Sequence, residues 1–199
     1  MKIAPNGSKL AICNSLINAQ LFDFDVSTGM VSNPLTLHNT NGAYGVEFSP
    51  NNEVLYVSVS NPSPYKIIQY NLNASDIIGS AYIHSQSDIF PGALQTGPDG
   101  KIYIAEIFQT KLGVINNPNT IGAGCSVQYD AIDLAGKVCD LGLPTFITSY
   151  FYTPAIQLNN TCEGEAVNFS FSTNQTILSA TWNFGDGNTS NAVRENSIT

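Results

Sequence analysis

One strand–turn–strand pattern of alternating apolar and polar residues occurs three times along the chain. The clearest copy is GVEFSPNNEVLYVSVS at residues 45–60, and the others are KIAPNGSKLAIC at 2–13 and LQTGPDGKIYIAEI at 94–107. Their prolines, Pro5, Pro50 and Pro98, are spaced 45 and 48 residues apart. A repeat of this length, built from short strands, is typical of a β-propeller blade.

Each repeat is long enough for four strands. In the second copy the pattern predicts Gly45–Ser49, Val54–Ser60, Lys66–Leu72 and a fourth strand at about Gly79–Ser85, with turn residues between them. At each proline turn, Pro sets φ near −65° and a following Asn or Gly accepts positive φ. The sequence therefore predicts an all-β chain whose residues 1–152 form a partial β-propeller of about three four-stranded blades.

A polar residue stands three positions before each proline: Lys2, Glu47 and Gln95. Because side chains alternate between the faces of a strand, we expect these three to face solvent along the central channel while their apolar neighbours pack between sheets. Two interpretations remain open at this stage, an ordinary solvent-facing position or a ligand contact by Glu47 and Gln95.

The third repeat departs from the pattern after its third strand. A stretch rich in Gly and Asn leads to Cys125, a strand at Val127–Leu134, and Cys139. We expect a Cys125–Cys139 disulfide that closes this segment as a hairpin, and a free buried thiol at Cys13. Pro144–Tyr150 is predicted to open one more blade.

The composition changes after residue 152, and residues 153–199 predict three further short strands and a tight turn. A Trp182 strand followed by a Gly-Asp-Gly turn is typical of a small immunoglobulin-like sandwich. Asp186 in that turn is either a calcium ligand or the acceptor of its own Asx-turn. Three blades and half a sandwich are both incomplete, so we expect the rest of the same chain to complete both domains.

Charged residues make up only 11% of the chain, against about 25% in an average soluble domain. The net charge of −8 disfavours nucleic acid and anionic membranes as partners. No apolar run reaches the roughly 20 residues of a membrane span, so we predict no membrane insertion.

The sequence contains little that indicates catalysis. It has no Gly-x-Ser-x-Gly elbow, P-loop, HExxH or dinucleotide fingerprint, and no CxxC pair. Glu47, Gln95 and Glu106 are the candidates for a metal at the channel mouth. His38 and His84, 46 residues apart, are interpreted as surface histidines on adjacent blades. We therefore predict no enzyme and no cofactor, with calcium at Asp186 as the alternative.

Two segments resemble known families. WNFGDGNTS at 182–190, preceded by TCEGEAVNFSF, resembles the first half of a PKD (polycystic-kidney-disease-type) domain. LFDFDVSTGMVSNP, AYGVEFSPNNEVLYVS, GALQTGPDGKIYIA and LGLPTFITSYF resemble the WD40-like propeller section of large secreted Bacteroidota proteins, in which PKD repeats and a gliding-motility-associated sorting domain follow. The resemblance implies type IX secretion and placement outside the cell or at its surface, associated with the outer membrane.

These observations favour a non-enzymatic extracellular binding or adhesion module linked to gliding motility, with the PKD domain as a spacer. Its propeller loops would contact an extracellular protein or polysaccharide at the channel mouth, through exposed aromatics in Asn61–Tyr65 and Phe108–Lys111. Tyr65 and Phe108 are the predicted binding residues. A metal-dependent propeller hydrolase or lyase and a structural scaffold of a surface assembly are the alternatives.

Overall fold

In the part of the chain that the computed structural model describes, each predicted repeat forms one four-stranded antiparallel sheet. The described residues are 1–38, 41–61, 63–144, 155–159, 168–172, 180–183, 187, 189–192 and 197–198. The chain divides into two units, 1–148 and 149–199, close to the predicted boundary after residue 152. None of the helices in these ranges is long and apolar enough to cross a membrane.

In the first unit, each sheet is built from strands consecutive in sequence. The first sheet contains β1 (Lys2–Ile3), β2 (Lys9–Asn14), β3 (Asn18–Asp25) and β4 (Met30–His38). The second contains β5 (Ala43–Phe48), β6 (Val54–Val59), β7 (Tyr65–Asn71) and β8 (Tyr82–Ser87). The third contains β9 (Pro91–Thr96), β10 (Ile102–Glu106), β11 (Lys111–Ile115) and β12 (Val127–Asp133).

These sheets confirm the predicted all-β class and the four strands per repeat. The fourth strand of the second sheet begins at Tyr82 rather than Gly79, because residues 76–80 form a turn in which Asp76 Oδ1 accepts the Gly79 N–H at 2.8 Å. The third repeat follows the same plan as the others: β12 is its fourth strand. Its departure from the pattern is confined to the β11–β12 connection, where Gly122–Cys125 forms a 3-10 helix.

The three proline turns share one geometry, as predicted. A backbone hydrogen bond closes each turn, from Gly7 to Ala4, from Asn52 to Ser49 and from Gly100 to Gly97. The donor has positive φ in every copy, at 75°, 67° and 74°. Gly and Asn tolerate this conformation better than other residues, so the turn chemistry and the strand pairing agree in all three repeats.

The middle sheet is buried on both faces, because all six residues of β6 are buried. Leu55, Val57 and Val59 belong to the core shared with the first sheet. Val54 and Tyr56 point the other way, into the core shared with Leu94, Ile102, Ile104 and Ile115 of the third sheet. Burying such a side chain contributes about 1.5–3 kcal/mol each, so the sheets are held together mainly by this face-to-face packing.

Successive first strands approach closely at two glycines. A Cβ on Gly45 of β5 would lie 2.5 Å from the Gly92 carbonyl oxygen of β9, and a Cβ on Gly92 would lie 2.6 Å from the Leu141 carbonyl oxygen. Ser58 joins β5 to β9, since its Oγ accepts the Gly45 N–H and donates to the Gly92 oxygen, both at 2.7 Å. The Leu141 oxygen in turn accepts the Ala93 N–H at 2.8 Å. The contact between adjacent sheets is therefore repeated beyond β9, at Leu141.

The second unit contains short antiparallel strands at the predicted positions. β13 (Ala155–Asn159), β14 (Asn168–Ser172) and β17 (Ser197–Ile198) form one sheet, and β15 (Ala180–Asn183) pairs with β16 (Thr189–Ala192). Asp186 and most of the predicted strand Pro144–Tyr150 lie outside the described residues.

Candidate functional site: a cleft between the second and third sheets

Strand alternation brings three connections to the same end of the second and third sheets. In an antiparallel sheet with sequential strands, the β6–β7, β8–β9 and β10–β11 connections must lie at one end and the proline turns at the other. The pairing Tyr65↔Ser87 and the pairing Glu106↔Pro91 agree with this placement. We call these the cleft end and the proline-turn end.

A cleft of about 500 Å³ opens at the cleft end. Its described lining residues come from all three connections and from the segment after β12: Tyr65, Asp88, Phe90, Ile107, Phe108, Gln109, Asp140 and Leu141. The rings of Tyr65 and Phe90 form one wall, with centroids 5.0 Å apart and planes inclined by 57°. This volume lies in the range of small-ligand and side-chain pockets.

Phe108 is the most exposed aromatic side chain of this wall, at 81%. Its backbone has φ 61°, which is uncommon for a bulky residue and carries a conformational cost. Two backbone hydrogen bonds hold the turn, from Phe108 N–H to Cys139 at 3.0 Å and from Gln109 N–H to Glu106 at 3.1 Å. The ring is thus presented to solvent from a hydrogen-bonded turn, which is an arrangement suited to contact with another molecule.

Two carboxylates stand beside the aromatic wall. Asp88 and Asp140 are both exposed. Asp140 Oδ1 accepts the N–H of the adjacent Leu141 at 2.8 Å, which orients its carboxylate. None of the described lining residues is a lysine or arginine. The cleft therefore combines apolar rings with negative charge.

The structure brings the two predicted binding residues together, since Tyr65 and Phe108 line the same cleft although they belong to different sheets. Sequence reasoning missed Asp88, Phe90 and Asp140. The resemblance of Gly142-Leu143-Pro144 to Phe90-Pro91-Gly92 was the available signal, because it indicates that both segments lead into a first strand at the cleft end.

The predicted solvent-facing positions are buried instead. Glu47 and Gln95 are exposed by only 2% and 5%. The Lys2 ammonium lies 2.8 Å from Glu47 Oε2 and donates to Gln95 Oε1, while the Thr96 N–H donates to Glu47 Oε2 at 3.1 Å. We call Lys2, Glu47 and Gln95 the inner polar cluster. They are buried because equivalent first strands lie side by side, so their polar ends pair with one another.

Burial raises the pKa of Glu47, and the charge and hydrogen bond of Lys2 oppose that shift. The backbone N–H groups of Thr96 and Phe48 also favour the ionised form. Lys2 therefore neutralises the carboxylate at the position a bound cation would take.

Glu106, the third metal candidate, occupies a different site. Both of its carboxylate oxygens accept the N–H of Asp130, at 3.2 and 3.1 Å, where β12 bulges against β11. Gly113 leaves room for it, since a Cβ there would lie 2.7 Å from Glu106 Oε1. Burial, the largest cause, raises the pKa of Glu106 to about 7, and the Asp130 carboxylate adds to the rise.

The three candidates do not converge. Glu47 contacts Thr96 at one end of β9, whereas Glu106 pairs with Pro91 at the other, about 15 Å away at the usual rise per residue. Among the described residues, no group of three or more His, Cys, Asp or Glu side chains is placed to hold a metal ion. Asp186, the calcium candidate, lies outside the described residues.

The structure does not contain the predicted Cys125–Cys139 disulfide, and both thiols are free. Cys125 lies beside Asn117, after β11, whereas Cys139 is hydrogen-bonded to Gln109, before β11. The two cysteines thus lie at opposite ends of the third sheet, about 20 Å apart along β12, far beyond the span of a disulfide.

His84 is buried rather than exposed, which corrects its interpretation as a surface histidine. Cys125 Sγ lies 3.5 and 3.6 Å from its ring nitrogens, and the Tyr82 ring covers it at 4.7 Å. Burial raises the pKa of the Cys125 thiol and lowers the pKa of His84, so both are favoured in their neutral forms. An activated nucleophile requires a thiolate, so this pair is a core contact.

The three stacked four-stranded sheets make this a propeller-like all-β protein. No family model matches the chain, and no curated protein is similar to it. Among solved structures, hydrazine synthase from Kuenenia stuttgartiensis is similar with a TM-score of 0.51 and 15% identity, over 86% of this chain and 44% of that one. A candidate 6-phosphogluconolactonase from Bacteroides uniformis has a TM-score of 0.49 and 16% identity, over 70% of this chain and 40% of that one. The chain thus spans less than half of each, and the likeness to hydrazine synthase concerns the fold alone.

Proposed function

We propose that this protein is a non-enzymatic binding module in which the cleft between the second and third sheets contacts an extracellular protein or polysaccharide. The observation that carries the proposal is the placement of Tyr65, Phe90 and Phe108 around one cleft. Rigid aromatic side chains supply a large contact area at low entropic cost, and exposed apolar patches on a monomer commonly mark interaction sites.

The inner polar cluster favours this proposal over a metal-dependent hydrolase or lyase. Glu47 is ion-paired with Lys2, and Glu106 is committed to the backbone of Asp130. Each carboxylate has a structural contact of its own, and the two lie at different ends of β9. The described residues therefore offer binding surfaces rather than a constellation for acid–base or metal chemistry.

The finer parts of the proposal rest on the sequence resemblance. We propose that the first unit is part of a β-propeller, that the second begins a PKD domain serving as a spacer, and that the protein is exported to the cell surface in connection with gliding motility. The low content of charged residues and the short strands of the second unit support this. Labelling of intact cells with a membrane-impermeant reagent checks the placement, and a protein labelled only after lysis contradicts it.

Loss of the aromatic wall should abolish binding. We expect Phe108→Ala and Tyr65→Ala each to weaken binding of the full-length protein to its ligand about tenfold or more, because each removes a ring from the cleft. Ligands are found by screening the unsubstituted protein against glycans and surface proteins, and affinities are then measured for each variant.

Tyr82→Ala is the matched control, because Tyr82 is exposed to a similar degree as other surface aromatics, at 42%, but begins β8 at the proline-turn end. It should leave the affinity unchanged. Unchanged affinity in both cleft variants removes this cleft as the binding site.

A further inference from the structure

The cleft has a charge character that the proposed function does not yet use. Its walls are aromatic, its exposed polar groups include the carboxylates of Asp88 and Asp140, and none of its described lining residues carries positive charge. The rest of the chain adds to this field, since the net charge is −8. Negative charge beside aromatic faces is the environment in which proteins bind cations.

The geometry favours a cation on a slender stem. Tyr65 and Phe90 are inclined by 57° rather than coplanar, and Phe108 stands out from the adjacent turn, so the rings enclose a space instead of forming one flat platform. A guanidinium or ammonium group can lie against ring faces while a carboxylate accepts its N–H groups. The aliphatic stem of the same side chain packs against Ile107 and Leu141, which also line the cleft.

We propose that the cleft binds a cationic side chain, arginine or lysine, presented by a partner protein. The inference rests on the proposed function, because it names the ligand class of the same cleft. It selects protein over polysaccharide: a neutral sugar makes no use of two carboxylates lacking a basic neighbour, whereas a basic side chain neutralises them. The exposed position of Asp88 and Asp140 also makes the attraction sensitive to salt.

The test compares two short peptides that differ only in charge. One carries a single arginine flanked by glycine and serine, and the other carries citrulline, the neutral isostere, at the same position. Binding to the full-length protein is measured by calorimetry at low and at high salt. We expect the arginine peptide to bind about tenfold more tightly than the citrulline peptide at low salt, with the difference reduced at high salt, as for partly exposed charge and cation–π contacts.

Two double variants locate the charge effect. Asp88→Asn with Asp140→Asn should abolish the preference for arginine. Asp76→Asn with Asp99→Asn removes the same charge from exposed positions at the proline-turn end of the same two sheets, and it should retain the preference. Circular dichroism of each variant confirms that the fold is kept, as expected for substitutions at exposed side chains.

Four results would overturn the inference. Equal affinity for both peptides with a loss on Phe108→Ala would leave the cleft as a binding site for neutral ligands, so the proposed function would stand. Binding unaffected by Phe108→Ala and by both double variants would remove the proposed function as well. An equal loss in the two double variants would indicate attraction to acidic surface in general. Absence of binding by either peptide at millimolar concentration would exclude a cation site.

Discussion

Glu47→Ala is expected to lower the free energy of unfolding by about 3 kcal/mol at neutral pH. Removing one partner of a buried ion pair leaves the other uncompensated, which typically costs about 3–5 kcal/mol. The lower end applies because the Lys2 side chain keeps 22% of its surface exposed and is partly rehydrated. The loss also leaves the buried Thr96 N–H without the acceptor it has at 3.1 Å.

The chain offers a matched control in the exposed ion pair between Lys9 and Asp23, whose side chains are 35% and 42% exposed. Asp23→Ala should cost less than about 1 kcal/mol, because water screens such a pair. Glu47→Gln should also be mild, since its amide oxygen can still accept the Thr96 N–H. Urea unfolding of the three variants measures these differences, and equal effects of Glu47→Ala and Asp23→Ala would contradict the buried cluster.

Glu106→Gln is expected to stabilise the protein by about 2 kcal/mol at pH 8. The folded protein holds the Glu106 proton more tightly than the unfolded chain, since burial raises its pKa from 4.5 to about 7. A shift of this size corresponds to about 3 kcal/mol. Part of this is offset because the glutamine NH2 group must find an acceptor in the bulge, while its oxygen retains the Asp130 N–H.

The direction of the pH dependence follows from the raised pKa. The contribution of Glu106 to stability is fully present below pH 4.5 and is lost as the pH rises through about 7. The advantage of Glu106→Gln should therefore appear between pH 4.5 and 7 and vanish at pH 4. Unfolding in urea at pH 4, 6 and 8 follows it.

The exposed Glu53→Gln substitution is the control for Glu106→Gln, because the Glu53 carboxylate faces solvent and accepts only the Asn51 amide among the bonds described. It should change stability little at any of the three pH values. Destabilisation by Glu106→Gln at every pH would show that the carboxylate is needed in the bulge, and it would overturn the account.

Local patterns predicted the strands well. Alternating side chains and the proline turns are short-range signals, and the residues that take positive φ, Gly7, Asn52 and Gly100, are of the types such turns require. Tyr65 and Phe108 were found as candidate binding residues for a similar reason, since both are aromatics in connections next to apolar strands.

The other cleft residues required knowledge of how the sheets stack. Asp88, Phe90 and Asp140 are distant from Phe108 or Tyr65 in sequence or belong to other connections, and only the alternation of antiparallel strands brings them to one end. The burial of Glu47 likewise depends on the neighbouring first strands, because in a single hairpin this residue would face solvent.

The failed disulfide prediction has the same origin. Cys125 and Cys139 are close in sequence, but the segment between them is one extended strand rather than a hairpin. An extended chain of this length separates its ends by about 20 Å. Sequence separation indicates the distance between two residues only once the local conformation is known.

Hydrogen–deuterium exchange of the full-length protein, with and without its bound ligand, tests the location of the binding site most directly. The account predicts slower exchange at the cleft end, at the amides of residues 88–90 and 107–109. Slower exchange confined to the proline-turn end, at residues 50–53 and 98–101, would contradict it, because those turns lie at the opposite end of the same sheets.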